Sequence, residues 1–359
     1  MVCQALPNLP EAKSLVLPDW TNFGWADTIA ERGGEVLNAL TGFLSHCGYD
    51  GEVPQLLSSE GEFAGISYRI QGSGPPLVLI PLALSPSQWE PILGQLGQRY
   101  CTIVLGGPHL GGVAPLENRA GGMYRTPRRN LVDELELQPG ETILDVGCGS
   151  GVHDRWLARY TKGNNPITAL DINSYLLREA RFLASREGLD GAIDFRQGNA
   201  ESLPFEDSSF DATMSITVME EVDADKMLSE MVRVTKPGGR VGVVVRSVDL
   251  PPIINLALRS ELRARLEAPG ATAGGLDEKG CGDFSLYRRF NERGLANLKM
   301  LPIFGSTSDP IHLRRQEENI VGSLSAAEME EWRTAVAEGE SQGAFFIARP
   351  FHCAVGTKP

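Results

Sequence analysis

The chain is short of positive charge: 33 lysines and arginines stand against 46 aspartates and glutamates, a net charge of −13. Nucleic-acid phosphates need a basic footprint and anionic bilayers need clustered lysine and arginine, so neither is expected as a partner. No apolar run reaches the ~18 residues that a membrane-spanning helix needs. Six cysteines, at positions 3, 47, 101, 148, 281 and 353, form no C-x-x-C pair and have no histidine at zinc-ligand spacing. They read as reduced thiols in a cytoplasmic protein, with no metal site. The first residues, MVCQALPNLPEAK, have neither the basic start nor the apolar centre of a secretory signal. Internal repeats and low-complexity tracts are lacking too. So is the G-x-S-x-G elbow of a serine hydrolase. The dinucleotide fingerprint G-x-G-x-x-G fails in both registers, because Val152 or Asp154 occupies its last position.

What is there is an α/β pattern. Residues 1 to about 60 are acidic, with an amphipathic stretch from Asp27 to Cys47 that reads as a helix weakened by Gly33 and Gly34. Residues 65–107 read as strand, Gly-Pro turn, strand, short helix and strand. From Met123, strands are expected at 142–147, 167–172, 193–198, 210–216 and 240–246 with helices between, a parallel sheet covered on both faces. Residues 251–290 read as irregular, followed by a strand at 296–304, a helix at 325–338 and a last strand at 344–356. Four blocks are therefore expected. Residues 1–120 form an accessory domain, 121–250 a Rossmann-like core, 251–343 a cap that lends one strand to the core, and 344–359 the last core strand.

The most informative stretch is ETILDVGCGSGVHDRWLARY, residues 141–160. An apolar strand ends in Asp145, then Gly147, Gly149 and Gly151 make a loop, then a helix begins. Glycine turns sharply and lets a ligand approach the backbone, which would then lie against a helix N-terminus at the carboxyl edge of the sheet. At the next strand end, in ITALDIN, Asp171 can accept both hydroxyls of a ribose. One strand further, Asn199-Ala200 offers an amide and a backbone N–H that suit an adenine edge.

LDVGCGSG, ALDIN, GNAESLPFEDSSFD and RVTKPGG follow one another in the order and spacing of the class I methyltransferases. Over residues 120–250 the chain most resembles the ubiquinone and menaquinone C-methyltransferase-like branch (methyltransferase type 11). The resemblance implies a mostly parallel Rossmann-like sheet with an antiparallel last strand, S-adenosylmethionine as cofactor and S-adenosylhomocysteine as product. It assigns Asp145, Gly147, Gly149, Gly151 and Thr217 to the methionine end of that cofactor, Asp171 to its ribose, and Ile172, Asn199 and Ala200 to its adenine. Asn199 departs from the family's usual Asp, keeping an acceptor while losing a charge. Tyr124 and Arg125 precede the first core strand, where relatives often cover the cofactor.

Methyl transfer from a sulfonium proceeds largely by positioning and exclusion of water, with a base needed only when the nucleophile must lose a proton. The candidates for that base are Glu220 and Glu221, adjacent carboxylates expected to raise one another's pKa, and His153, expected at the cofactor rim or in solvent. Relatives often read Glu-His where this chain has Glu220-Glu221. His352 reads as a satisfied sheet histidine, while Cys281 and Asp283, in the irregular cap, are minor candidates to face a substrate. The acceptor is expected to be a small, partly apolar metabolite methylated on O or C, received by a cap containing Leu286, Tyr287, Phe290, Trp332 and Phe345. Two alternatives keep the fold and change the outcome: a module that binds the cofactor without turnover, and a cyclase. Residues 65–112 also resemble the first strands of an α/β-hydrolase, but Pro81-Leu82 replaces the oxyanion-loop His-Gly. That segment is expected to be scaffold: a lid over the methyl-acceptor site, the surface of a homodimer, or both.

Overall fold

A computed structural model describes residues 17, 28–47, 59–81, 84–271, 275–308, 313, 317 and 320–359. They fall into two compact units, Met1–Ala114 and Pro115–Pro359. Leu82 and the acidic N-terminal segment before Thr28, apart from Leu17, lie outside the described residues.

In the first unit, helix α1 (Thr28–Leu44) breaks at Arg32 (φ −124°, ψ 26°), beside the two glycines that weakened the expectation of helix. The strands are β1 (Glu60–Phe63), β2 (Ile66–Gln71), β3 (Pro76–Leu79) and β4 (Cys101–Gly106), in the order β1-β2-β4-β3. Ala64 and Gly65, both at positive φ, close the β1–β2 hairpin. β3 and β4 run parallel, joined through a 3₁₀ turn at Pro86–Trp89 and helix α2 (Glu90–Leu96). Ile29, Leu79, Trp89, Ile92, Leu93, Leu96 and Val104 form the core, and the Trp89 indole donates to the Ile80 carbonyl at 2.6 Å. The strand–turn–strand–helix–strand pattern of residues 65–107 thus folds as its periodicity implied.

The units divide within helix α3 (Val113–Glu117), before the 120/121 boundary drawn from sequence. The reason is polar anchoring, because Glu117 and Arg119 bond to Ser150, Arg155 and Thr217 of the second unit. After helix α4 (Arg125–Glu134) come β5 (Ile143–Val146), α5 (Val152–Tyr160), β6 (Ile167–Asp171), α6 (Ser174–Arg186), β7 (Ile193–Gln197), β8 (Phe210–Ile216), α7 (Ala224–Val234) and β9 (Thr235–Arg246). The remainder adds β10 (Ile253–Ile254), α8 (Ser260–Leu266), α9 (Ser285–Glu292), β11 (Ala296–Thr307), α10 (Ala326–Ser341) and β12 (Ile347–Thr357). Residues 251–290 are therefore not irregular throughout. Apolar residues at helical spacing, Leu262 with Leu266 and Leu286 with Phe290, bury one face of each short helix despite the flanking prolines.

The sheet runs β7-β6-β5-β8-β9-β12, with β11 on the far side of β12 and β10 beside the start of β12. β5 to β9 are parallel, while β12 is antiparallel to β9 and to β11. This is a Rossmann-like sheet with an antiparallel insertion next to its edge strand. All four residues of β5 are buried, as expected for a strand covered on both faces. Alternation divides the core: Ile143 joins Leu131, Leu157, Leu177 and Phe351 on one face, while Leu144 and Val146 join Met227, Leu228, Met231 and Phe290 on the other. A third cluster, with Leu256, Leu262, Leu266, Trp332 and Phe345, gives the cap its own core. From β5 the chain builds outward through β6 and β7, then returns to place β8 on the other side of β5. The crevice at that reversal, outside the carboxyl ends of β5 and β8, is where open α/β sheets bind ligands.

Candidate functional site

The loop after β5 explains its own glycines. Gly147, Gly149 and Gly151 have φ of +83°, +57° and +73°, which L side chains rarely adopt. A Cβ on Gly147 would lie 2.3 Å from a Val218 methyl, and one on Gly151 would lie 2.8 Å from the Phe195 ring. Turn geometry and internal packing thus demand glycine at these two positions, rather than the approach of a ligand. Gly151 is the N-cap of helix α5, and no side chain caps the helix's first N–H groups.

Asp171, nine-tenths buried at the end of β6, accepts the N–H of Gly149 on one oxygen (2.8 Å) and that of Asn173 on the other (2.9 Å). Each oxygen keeps a further lone pair. Burial pushes its pKa up against these two hydrogen bonds. Ile172 beside it is 66% exposed, an apolar side chain held open at the rim of the crevice. Asn199 is exposed, and its Oδ1 accepts the N–H of Glu201 at 2.8 Å, while Ala200 is buried. Thr217, at the end of β8, holds φ +57°, strained for a β-branched residue. Its hydroxyl accepts from Arg119 at 3.2 Å.

Beneath the loop, Asp145 and Asp154 are buried carboxyls. Burial, and then the neighbouring Asp154, push Asp145 well above the carboxylate range, and burial lifts Asp154 to about 7. Oδ1 of Asp145 and both oxygens of Asp154 meet no N–H or hydroxyl donor, and the two carboxyls bond to each other through a retained proton. The spare lone pairs of Asp171 and the exposed Ile172 fit a ligand carrying hydroxyls and a flat apolar base. S-adenosylmethionine, with its ammonium, sulfonium, ribose and adenine, is of that kind.

The three candidates for proton transfer differ sharply. Glu220 is 1% exposed, and its Oε1 accepts from the backbone N–H of Arg246 (2.6 Å) and from its Nε (3.1 Å), leaving Oε2 buried and unpaired. Burial raises its pKa against the attraction of Arg246. Glu221 is half exposed and reaches Arg246 Nη2 at 3.4 Å. The expected mutual repulsion is therefore replaced by a shared arginine, and burial supplies the shift. His153 is buried on α5, away from solvent, with both ring nitrogens unpaired. Burial, then Arg128, Arg119 and Arg155, hold it well below its usual pKa, so the ring is neutral. Tyr124 lies 6.2 Å from it, centroid to centroid.

Other residues proposed from sequence serve packing. His352 bonds to Asp249 (2.7 Å) and Tyr287 (2.9 Å), so it is satisfied. Cys281 is buried beside Ser285, which takes it out of reach of a substrate, and Asp283 accepts the Ser285 N–H. Leu286, Phe290, Trp332 and Phe345 are all buried in core clusters, which removes them as an acceptor lining. Sequence reasoning missed Glu117, which accepts from Ser150 Oγ (2.5 Å) and Arg155 and so fixes the glycine loop. It missed Arg119 and Arg246 too, although Arg246 stands directly at a strand's carboxyl end. Arg349 carried a signal in retrospect, a lone charge in the apolar run IARPFHCAV.

Residues 144–243 match the family model described as a methyltransferase domain. The chain is 36% identical over 126 residues to a ubiquinone/menaquinone biosynthesis C-methyltransferase of Vibrio parahaemolyticus, covering 35% of this chain and 49% of that one. It is 33% identical over 166 residues to the methyltransferase phqN of Penicillium fellutanum, covering 46% and 50%. Among solved structures, the YcgJ protein of Bacillus subtilis superposes with a TM-score of 0.41 at 17% identity, over 65% of this chain and 98% of that one. The chain spans about half the length of the curated relatives it matches. Motifs, sheet order and family match converge on the second unit, whose residues 144–243 are similar to a methyltransferase domain.

Proposed function

We propose that the protein moves a methyl group from S-adenosylmethionine to an oxygen or carbon of a small, partly apolar metabolite by in-line displacement. The observation that carries this reading is the conjunction at one sheet edge of the left-handed glycine loop, Asp171 with spare lone pairs and the exposed Ile172. When bound, S-adenosylmethionine supplies an electrophilic methyl group on a sulfonium. Asp171 would accept the ribose hydroxyls, Ile172 would cover the adenine, and Asn199 and Ala200 would meet its edge. Gly147, Gly149 and Gly151, with Asp145 and Thr217, would frame the methionine end, and Tyr124 would cover it.

Catalysis on this reading is mainly positioning. Glu220 orients Arg246, and the neutral His153 keeps one ring nitrogen with a free lone pair for a nucleophile that must lose a proton. We propose further a homodimer formed through the N-terminal unit, supported by exposed Phe63, Val78 and Ile80, and readable by sedimentation. A cytoplasmic location is supported by the free thiols Cys47, Cys101, Cys148, Cys281 and Cys353. The net charge of −13 supports a small molecule rather than nucleic acid or a membrane surface as partner. No helix among the described residues is long and apolar enough to cross a membrane.

Calorimetric titration of S-adenosylmethionine and S-adenosylhomocysteine tests the reading. One-to-one binding is expected, weakened at least tenfold in Asp171→Ala. The loss of about 1.4 kcal/mol this implies is in the range of a charged hydrogen-bond acceptor. Absence of binding to protein free of retained cofactor would falsify the assignment. Product mass separates the alternatives, since a transferase adds one methyl group per turnover and a cyclase adds nothing.

A further inference from the structure

Three positions far apart in the chain meet on one face of the sheet. Arg246 pairs with Phe351 across β9 and β12, and Arg349 pairs with Gly305 across β12 and β11. Residues 349 and 351 point the same way along a strand, so Arg246, Arg349 and Phe351 share a face. Tyr124 packs edge-on against Phe351, centroid to centroid at 5.4 Å. The carbonyl of Met123 presses on Gly305, 1.7 Å from where a Cβ would stand. Tyr124 is thereby set beside the two arginines.

The charges do not balance. Arg246 is matched by Glu220 and Glu221. Among the described residues Arg349 has no carboxylate and no hydrogen-bond partner, although its Nε is buried. Burial holds its pKa down to about 10. A half-buried guanidinium without a counter-charge costs stability, and such departures from good packing concentrate where a ligand completes the site. Arg119 is unlike it, for it hydrogen-bonds Thr217 and lies over the Tyr124 ring at 5.1 Å, nearer the glycine loop. Arg349 stands two strands beyond β8, away from the glycine loop, where an acceptor rather than a cofactor would extend.

We propose that the methyl acceptor carries an oxyanion, a carboxylate or a phosphate, and that Arg349 and Tyr124 receive it while Glu220 and Glu221 hold Arg246 beside them. Naming the ligand as the acceptor rests on the methyltransferase reading; the oxyanion site itself does not. Arginine presents a planar fork of donors that matches either group.

Saturation-transfer NMR and calorimetry with benzoate, phenyl phosphate and neutral benzamide test this on wild type, Arg349→Gln and Arg349→Lys, with and without S-adenosylhomocysteine. At least one anionic probe is expected to bind wild type, to weaken tenfold or more in Arg349→Gln and to survive partly in Arg349→Lys. Benzamide binding and S-adenosylhomocysteine affinity should not change, and the stronger anionic probe tells carboxylate from phosphate. Arg349→Gln removes no hydrogen bond, so without ligand it should melt at or above the wild-type temperature, and only wild type should be stabilised by the probe. Equal binding by wild type and Arg349→Gln, or no binding of either anion, overturns the proposal. So does a loss of S-adenosylhomocysteine affinity in Arg349→Gln, which would give Arg349 to the cofactor. Failure of S-adenosylhomocysteine to bind wild type, with probe binding still dependent on Arg349, would remove the methyltransferase reading and leave the oxyanion site standing.

Discussion

The two ends of the central sheet are built to opposite rules. At the amino end of the strands every prominent charge is matched. Asp211 accepts from the backbone and hydroxyl of Thr142 and from Lys236, all within 2.9 Å, and Glu141 pairs with Arg240 while accepting the Gln138 N–H. At the carboxyl end the glycine loop and Thr217 hold left-handed backbone, and His153, Glu220 and Arg349 all keep buried polar atoms unpaired. The same strands pass through both ends, so the difference is not one of local propensity. Stability is secured at the amino edge, and unsatisfied groups are tolerated at the edge where a ligand can supply their partners.

This contrast can be broken from either side. The largest effect is expected for Gly147→Ala, where a left-handed residue and a Cβ against Val218 together cost about 2–4 kcal/mol. Its melting temperature should fall by several degrees and S-adenosylhomocysteine binding should disappear. At the opposite edge, Asp211→Asn should cost about 1–2 kcal/mol, because a charged hydrogen-bond acceptor only 26% exposed is lost. Cofactor affinity should stay unchanged, and any large change there would mean the two ends are coupled.

The smallest effect is one of pH. Hydrogen bonds and Lys236 hold the folded Asp211 at about 2 against the penalty of burial, so its stabilisation is present above the unfolded value near 4 and is lost as pH falls towards 2. Burial raises the folded Asp154 to about 7, so its proton-linked stabilisation is present below about 4 and is lost as pH rises through 7. Asp154→Asn should therefore flatten the fall in melting temperature between pH 5 and 8, an interval set by that raised value. An unchanged slope in calorimetric scans would place the titration elsewhere.

Much of this site was legible in the chain because its parts are local. Gly147, Gly149 and Gly151 announce themselves by spacing, and Asp171 and Thr217 by falling at strand ends. The reason given for the glycines was only half of the physics, since Val218 and Phe195 that exclude a Cβ come from the segment after β8 and from β7. The chemical state of Glu220 was not legible at all. Its sequence neighbour Glu221 suggested repulsion, whereas Arg246, 26 residues away, decides it. The cap aromatics misled because burial against α7 or within the third cluster is a property of packing and not of composition.

The sequence alone determined the alternation of strands and helices, the glycine loop and the acid after the second core strand. Each follows from hydrophobic period or backbone conformation, which act over a few residues. Tertiary structure decided which charges find partners. Arg119 reaches Thr217 across 98 positions, Glu117 reaches Arg155 across 38, and Arg349 is brought beside Tyr124 with no partner of its own. Pairing and burial set whether a charged group is structural, neutralised or left for a ligand, and both depend on distances that only the folded chain fixes.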